Sequence, residues 1–168
     1  MLGEARATLV WGVVLRYLRT MPYDITGWIE TTWATPEIRA EISATDEEGW
    51  AWSATVCLDG LGLNGDAVSD LLFGLTKDPS GKGLFVDRGL PPEASLPVVR
   101  AYQLDRQEPS IFGHTHASLS EVQSVRWHEH VVALNDSLWS HIICLMDDLS
   151  EMEMFDPDRV RIVVWANW

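Results

Sequence analysis

Hydrophobic and polar residues follow strand-like patterns in four segments of the chain. Residues 37–45, 50–58 and 159–168 place apolar side chains at every second position, which is typical of a strand with one buried face. Residues 23–33 are rich in β-branched and aromatic side chains, which strands favour. Turn-forming residues separate the first three segments, so we expect an antiparallel meander there.

Apolar residues spaced three and four positions apart predict the helices. The pattern indicates one helix over residues 65–75, with Asn64 as its N-cap, and a short helix after Ser95. The longest helical pattern covers residues 135–152. These elements predict an α+β fold, with an antiparallel sheet of four or five strands and about three helices packed on one face.

The first twenty residues differ from the rest of the chain. We expect residues 1–20 to be an N-terminal extension from an upstream start codon, and residues 21–168 to form a single domain beginning at Met21. The alternative is an accessory helix that packs on the domain. The apolar run at residues 9–15 is too short to span a bilayer, and no cleavage site of a secretory signal follows it.

The charge balance limits the partners that the protein can have. The chain has 25 acidic and 12 basic residues, a formal net charge of −13. Such a surface repels phosphate backbones and anionic lipid, which disfavours direct nucleic-acid and membrane binding. It suits a basic protein partner. One acidic cluster is either a solvated helix face or a docking surface for that partner; it comprises Asp147, Asp148, Glu151, Glu153, Asp156 and Asp158.

The two cysteines indicate a cellular compartment. Cys57 and Cys144 both lie in apolar runs, so we expect them to be small core residues in a reducing, cytoplasmic setting. Their spacing alone does not exclude a buried disulfide between them.

Two pairs of histidines raise the hypothesis of a metal site. His114 and His116 are one residue apart, and His128 and His130 repeat that spacing. Residues i and i+2 of a strand share a face, so two facing strands would present four imidazoles to zinc. This is the basis for an alternative function, a metal-dependent hydrolase. The first pair resembles the end of a metallophosphoesterase site, but the other motifs of that site are absent, and we expect no metal or other cofactor.

The stretch with the first histidine pair also has a local explanation. Ser118 and Glu121 match a capping box, in which each side chain accepts from the other residue's amide. This predicts that a helix begins after Ser118 and that the histidines lie in an extended lead-in. The sequence has no G-x-S-x-G motif, and its one G-x-G-x-x-G spacing opens no βαβ unit. We therefore favour a protein that is not an enzyme.

A small-ligand pocket is the other candidate site. The chain has nine tryptophans, and we expect Trp28 and Trp50, near strand starts, to stack on a planar ligand. Arg88, His114 and His116 would contact its anionic group. For Arg88 taken alone, we favour a structural carboxylate over an anionic ligand as its partner.

Several segments together are similar to a family of small proteins from actinobacteria and their phages. In that family the central stretch runs His-Thr-Trp before a Thr-x-x-Glu helix start, whereas His116 stands here in place of the tryptophan, which argues against a shared metal site. The resemblance implies no activity, but its phage setting implies an accessory role in host–phage conflict. The matching segments are MPYDITGWIE, LLFGLT, VDRGLPPEAS, HTHASLSEVQSVRW and VRIVVWANW.

These inferences combine into one functional hypothesis. We expect a non-enzymatic cytoplasmic binding or inhibitor protein, of the immunity or counter-defence type. It would either sequester a small anionic ligand or block a basic protein partner.

Overall fold

The computed structural model describes most of the chain after the N-terminal segment. The described residues are 23–35, 37–38, 51–75, 83–130, 134–152 and 156–168. The predicted extension at residues 1–20, the expected start at Met21 and the predicted ligand residue Trp50 lie outside them. So does most of the strand predicted at residues 37–45. Its first two residues, Glu37 and Ile38, are helical, and the strand prediction is wrong there.

In the part of the chain that the structure describes, four strands form one antiparallel sheet in the order β2-β1-β4-β3. They are β1 (Asp24–Thr31), β2 (Ser53–Cys57), β3 (Ile111–Ser118) and β4 (Val160–Asn167). The predicted strands at residues 23–33, 50–58 and 159–168 correspond to β1, β2 and β4. The sheet therefore has its first and last strands at the centre, where β1 and β4 pair along their whole lengths.

Within the described residues, four helices accompany the sheet, besides the two helical residues Glu37 and Ile38. They are α1 (Ala67–Phe73), α2 (Leu96–Asp105), α3 (Leu119–Gln123) and α4 (Leu138–Met152). Short 3-10 turns cover Trp127–Glu129, Leu134–Asp136 and Pro157–Arg159. The N-cap of α1 is Asp66 and not Asn64 as predicted, because the Asp66 carboxylate accepts hydrogen bonds from the amides of Val68 and Ser69.

The two faces of the sheet bury different sets of residues. From β4, Ile162 and Val164 enter a large apolar core with α1, α3 and α4. Because side chains alternate along a strand, Val163 and Trp165 point the other way, into a smaller cluster that contains Val98 of α2. The α+β fold and a face with three helices are as predicted. The short helix after Ser95, α2, instead covers the opposite face, which we call the α2 face.

The cysteines differ from the prediction. Cys57 and Cys144 are both exposed free thiols. Cys57 lies on β2, at the edge of the described sheet. Cys144 lies two residues from each of the buried residues Ile142 and Met146, and that spacing turns it to the outer side of α4. Among the described residues, no helix is long and apolar enough to cross a membrane.

Candidate functional site

The α2 face brings together three of the predicted ligand residues. Trp28 on β1 lies opposite Val163 on β4, and Val163 lies opposite His116 on β3, so Trp28 and His116 belong to one row across the sheet. His114 stacks on Trp165, which belongs to the same face. A register irregularity before Thr115 accompanies this arrangement. The histidines thus share a face, as predicted for i and i+2 in a strand.

His114 is held between two aromatic rings. Its ring centroid lies 5.7 Å from Trp165 in a stacked arrangement and 4.6 Å from Tyr102 in an edge arrangement. Its Nε2 atom is buried and has no hydrogen-bond partner among the described residues. Burial lowers the pKa of His114 below the ordinary 6.5, although Asp105 and Asp87 act in the opposite direction. A neutral imidazole at pH 7 follows, which is a poor contact for an anion.

Arg88 is engaged with a carboxylate of the protein itself. Its Nη1 atom lies 2.8 Å from Oε1 and 3.0 Å from Oε2 of Glu121. The guanidinium also sits 4.7 Å from the ring centroid of Phe85. Of the two partners considered for Arg88, the structure shows the structural carboxylate. An anionic ligand at Arg88 would have to displace Glu121.

Glu121 joins this ion pair to the helix start at Ser118. The Ser118 amide donates to Glu121 Oε2 at 2.9 Å, and the Glu121 amide donates to Ser118 Oγ at 3.2 Å, so the predicted capping box is confirmed. Burial raises the pKa of Glu121, but the Ser118 amide and the Arg88 guanidinium outweigh it and the net pKa is lowered. Glu121 is therefore a stable anion that serves two contacts at once.

The segment that carries Arg88 runs along the open edge of β3. We call residues 83–90 the strap. The Gly89 amide donates to the His114 carbonyl at 2.9 Å, and His116 Nδ1 lies 2.9 Å from the Gly89 carbonyl. Since a carbonyl only accepts hydrogen bonds, Nδ1 of His116 carries a proton. The amide and carbonyl of Gly89 and the imidazole of His116 thus all form hydrogen bonds within the protein.

The second histidine pair does not face the first. His128 lies in the 3-10 turn Trp127–Glu129 and not in a strand, with 81% of its side chain exposed. His130 follows directly and caps that turn. The described residues, which include all four histidines, contain no group of three or more potential metal ligands. The facing-strand arrangement that the zinc hypothesis requires is not formed by these histidines.

A buried ion pair on the α2 face was not anticipated from the sequence. Arg161 Nε donates to Glu30 Oε2 at 2.7 Å, and the other Glu30 oxygen accepts from the Ser95 amide at 2.7 Å. Arg161 also donates to the Glu93 carbonyl and lies 3.8 Å from the ring centroid of Trp52. The available signal was Arg161, a single charge within the apolar run of β4; nothing comparable marks Glu30 in β1, which also contains Asp24 and two threonines. The pair fastens the start of α2 to the sheet.

An acidic surface lies at the C-terminal end of α4. Asp148 and Glu151 are exposed there and form no salt bridge with any described residue, while Asp147 accepts from Gln123 Nε2 at 2.7 Å. Asp158 accepts from the Ser120 hydroxyl. We call Asp147, Asp148, Glu151, Asp156 and Asp158 the acidic surface; Glu153, predicted with them, lies outside the described residues.

The position of these carboxylates is electrostatically unfavourable for the helix. The C-terminus of an α-helix carries partial negative charge, so acidic residues in its last turns destabilise it. Helix α4 contains no lysine or arginine to compensate. The negative charge is therefore not explained by the stability of α4.

Comparison with protein-family models, with curated proteins and with solved structures finds no match to this chain. The similarity to actinobacterial and phage proteins remains a prediction from short segments.

Proposed function

We propose that this protein is a non-enzymatic, cytoplasmic binding protein that blocks a basic protein partner through the acidic surface. The observation that supports the proposal most is the pair Asp148 and Glu151, which are exposed, have no described counter-ion and lie where the helix dipole disfavours them. Residues kept at a cost to stability are common at binding sites. The net charge of −13 would speed the approach of a positively charged partner.

The small-ligand hypothesis has less support. Arg88 already holds Glu121, and the lowered pKa of His114 removes a second cation from the site. The hydrolase hypothesis needs His128 and His130 beside the first pair, and His128 is exposed in a separate turn. The resemblance to phage proteins fits an inhibitor of the immunity or counter-defence type, since such proteins act by occupying a partner.

The test compares two variants that remove the same amount of charge. Asp148→Asn with Glu151→Gln removes two of the five negative charges of the acidic surface and keeps the side-chain size nearly unchanged. Asp24→Asn with Glu108→Gln removes two exposed charges outside it. An oligolysine peptide serves as the probe, and its affinity is measured by isothermal titration at several salt concentrations.

The proposal predicts that wild-type affinity falls steeply with salt and that the α4 double variant binds more weakly than the control. Equal loss in both variants would show that only net charge matters. That result, or wild-type binding insensitive to salt, would contradict a defined docking surface.

A further inference from the structure

The edge of β3 is covered by side chains and loop backbone. Among the described strands, β3 pairs with β4 alone and is therefore an edge strand. Open edges invite pairing with another chain, and proteins commonly protect them. Residues 115–118 all lie opposite residues of β4, and along an antiparallel strand alternate residues turn their backbone groups away from the partner strand. Here those residues are His114, His116 and Ser118, whose backbone groups bond to atoms outside the sheet.

Each of these outward residues has a polar partner at the edge. The His114 carbonyl accepts from the Gly89 amide at 2.9 Å, and the His116 carbonyl accepts from Arg88 Nη1 at 3.4 Å. The Ser118 amide donates to the Glu121 carboxylate at 2.9 Å. The Arg88–Glu121 ion pair connects two of these partners and, together with the two hydrogen bonds of Gly89, closes the end of the strap over three outward positions of the strand.

We propose that the end of the strap, residues 88–90, is a releasable guard that the Arg88–Glu121 ion pair helps to hold closed, and that its release lets β3 of a second copy add to the sheet. Phe85 stays in the core and anchors the other end of the strap. The Arg88–Glu121 ion pair is easily broken. The two side chains are 33% and 39% exposed, and ion pairs at such positions are weak and screened by salt.

A second copy is the occupant that this edge fits. Two released β3 edges are identical and antiparallel pairing about a two-fold axis is self-complementary. Residues Ile111–Ser118 contain no aspartate, glutamate, lysine or arginine, so the pairing opposes no like charges along the strand despite the acidic chain. The strap would then set whether the protein is a monomer or a dimer, independently of the acidic surface.

The primary variant is Glu121→Gln, because glutamine at this helix position retains the capping contact to Ser118 while the ion pair is lost. Arg88→Met is the second variant. Glu129→Gln is the matched control, since it removes the exposed Arg126–Glu129 ion pair elsewhere on the surface. Sedimentation velocity over a range of protein concentrations measures the oligomeric state, and hydrogen exchange measures protection of the Gly89 amide.

The expected result is a monomer for wild type and control, and concentration-dependent dimers with a several-fold less protected Gly89 amide for both strap variants. Adding His116→Pro, which places proline on an outward edge position, should return Glu121→Gln to a monomer. Strap variants that lose Gly89 protection yet stay monomeric overturn the proposal, as do dimers that survive His116→Pro. If the variants fail to fold, the wild-type protein is measured at rising salt concentration. Loss of Gly89 protection without dimer formation would then overturn the proposal.

Discussion

Glu30 and Arg161 face each other across the two central strands, with Arg161 Nε donating to Glu30 Oε2 at 2.7 Å. Glu30 is fully buried and Arg161 is 8% exposed. A buried charge is tolerated only while its partner and hydrogen bonds compensate it. The Ser95 amide and the Glu93 carbonyl contribute to this compensation, so the ion pair and the start of α2 depend on each other.

Arg161→Met should therefore destabilise the protein strongly. Removing one partner leaves the Glu30 carboxylate buried and unpaired, which typically costs about 3–5 kcal/mol. Urea unfolding followed by far-UV circular dichroism measures the free energy of unfolding. The control is Glu30→Leu with Arg161→Met, which should be more stable than the single variant because no buried charge remains. A single variant as stable as the double one would show that the pair is not energetically coupled.

The close packing of β1 on β4 gives a second prediction, at Gly27. A Cβ atom there would lie 2.1 Å from the Val163 carbonyl oxygen, and φ is +145°. Gly27→Ala should cost at least about 2 kcal/mol through overpacking and backbone strain. Gly60→Ala is the control, because φ is +79° but nothing lies within 4 Å; it should cost about 1 kcal/mol. Similar unfolding midpoints for the two variants would argue against the close approach at Gly27.

Local sequence signals predicted the elements whose stability is itself local. The capping box at Ser118 and Glu121 depends on residues three apart, and the structure shows both of its hydrogen bonds. The strand at residues 159–168 was predicted correctly from its apolar residues, but the alternation indicated one buried face, whereas β4 is buried on both faces. In contrast, β3 was predicted only as an extended lead-in and not as a strand. Gly113, with φ +69°, interrupts the regular alternation that would have indicated a strand.

Contacts between distant segments were beyond the reach of the pattern. Arg88 and Glu121 are 33 residues apart, and no pattern in the sequence around either residue indicates that the two form an ion pair. The apolar spacing around Val98 predicted a helix but not which face of the sheet it covers. Cys144 sits in an apolar run, but the helical period turns it outward from α4, so composition alone misplaced it.

The capping box also supports a stability prediction. Ser118→Ala removes the acceptor for the Glu121 amide and should cost about 0.5–2 kcal/mol, as for other N-cap serines. Ser124→Ala is the control, because the Ser124 hydroxyl donates to the Glu121 carbonyl at the other end of α3 and caps no amide. Thermal unfolding of both variants should show the larger loss at Ser118. Equal losses would mean that helix propensity and not the cap determines the stability of α3.

His114 should make stability depend on pH in the weakly acidic range. Burial lowers its pKa in the folded protein below 6.5, so the unfolded chain binds a proton at higher pH than the folded chain does. The free energy of unfolding therefore falls as pH drops through about 6.5. Below the folded-state pKa of His114, this residue causes no further decrease. His114→Phe retains a ring between Tyr102 and Trp165 but cannot take up a proton. The free energy of unfolding should change less between about pH 7.5 and pH 5.5 in this variant than in wild type. His128→Phe, at an exposed position, should keep the wild-type slope. A slope unchanged by His114→Phe would assign the acid sensitivity to other groups.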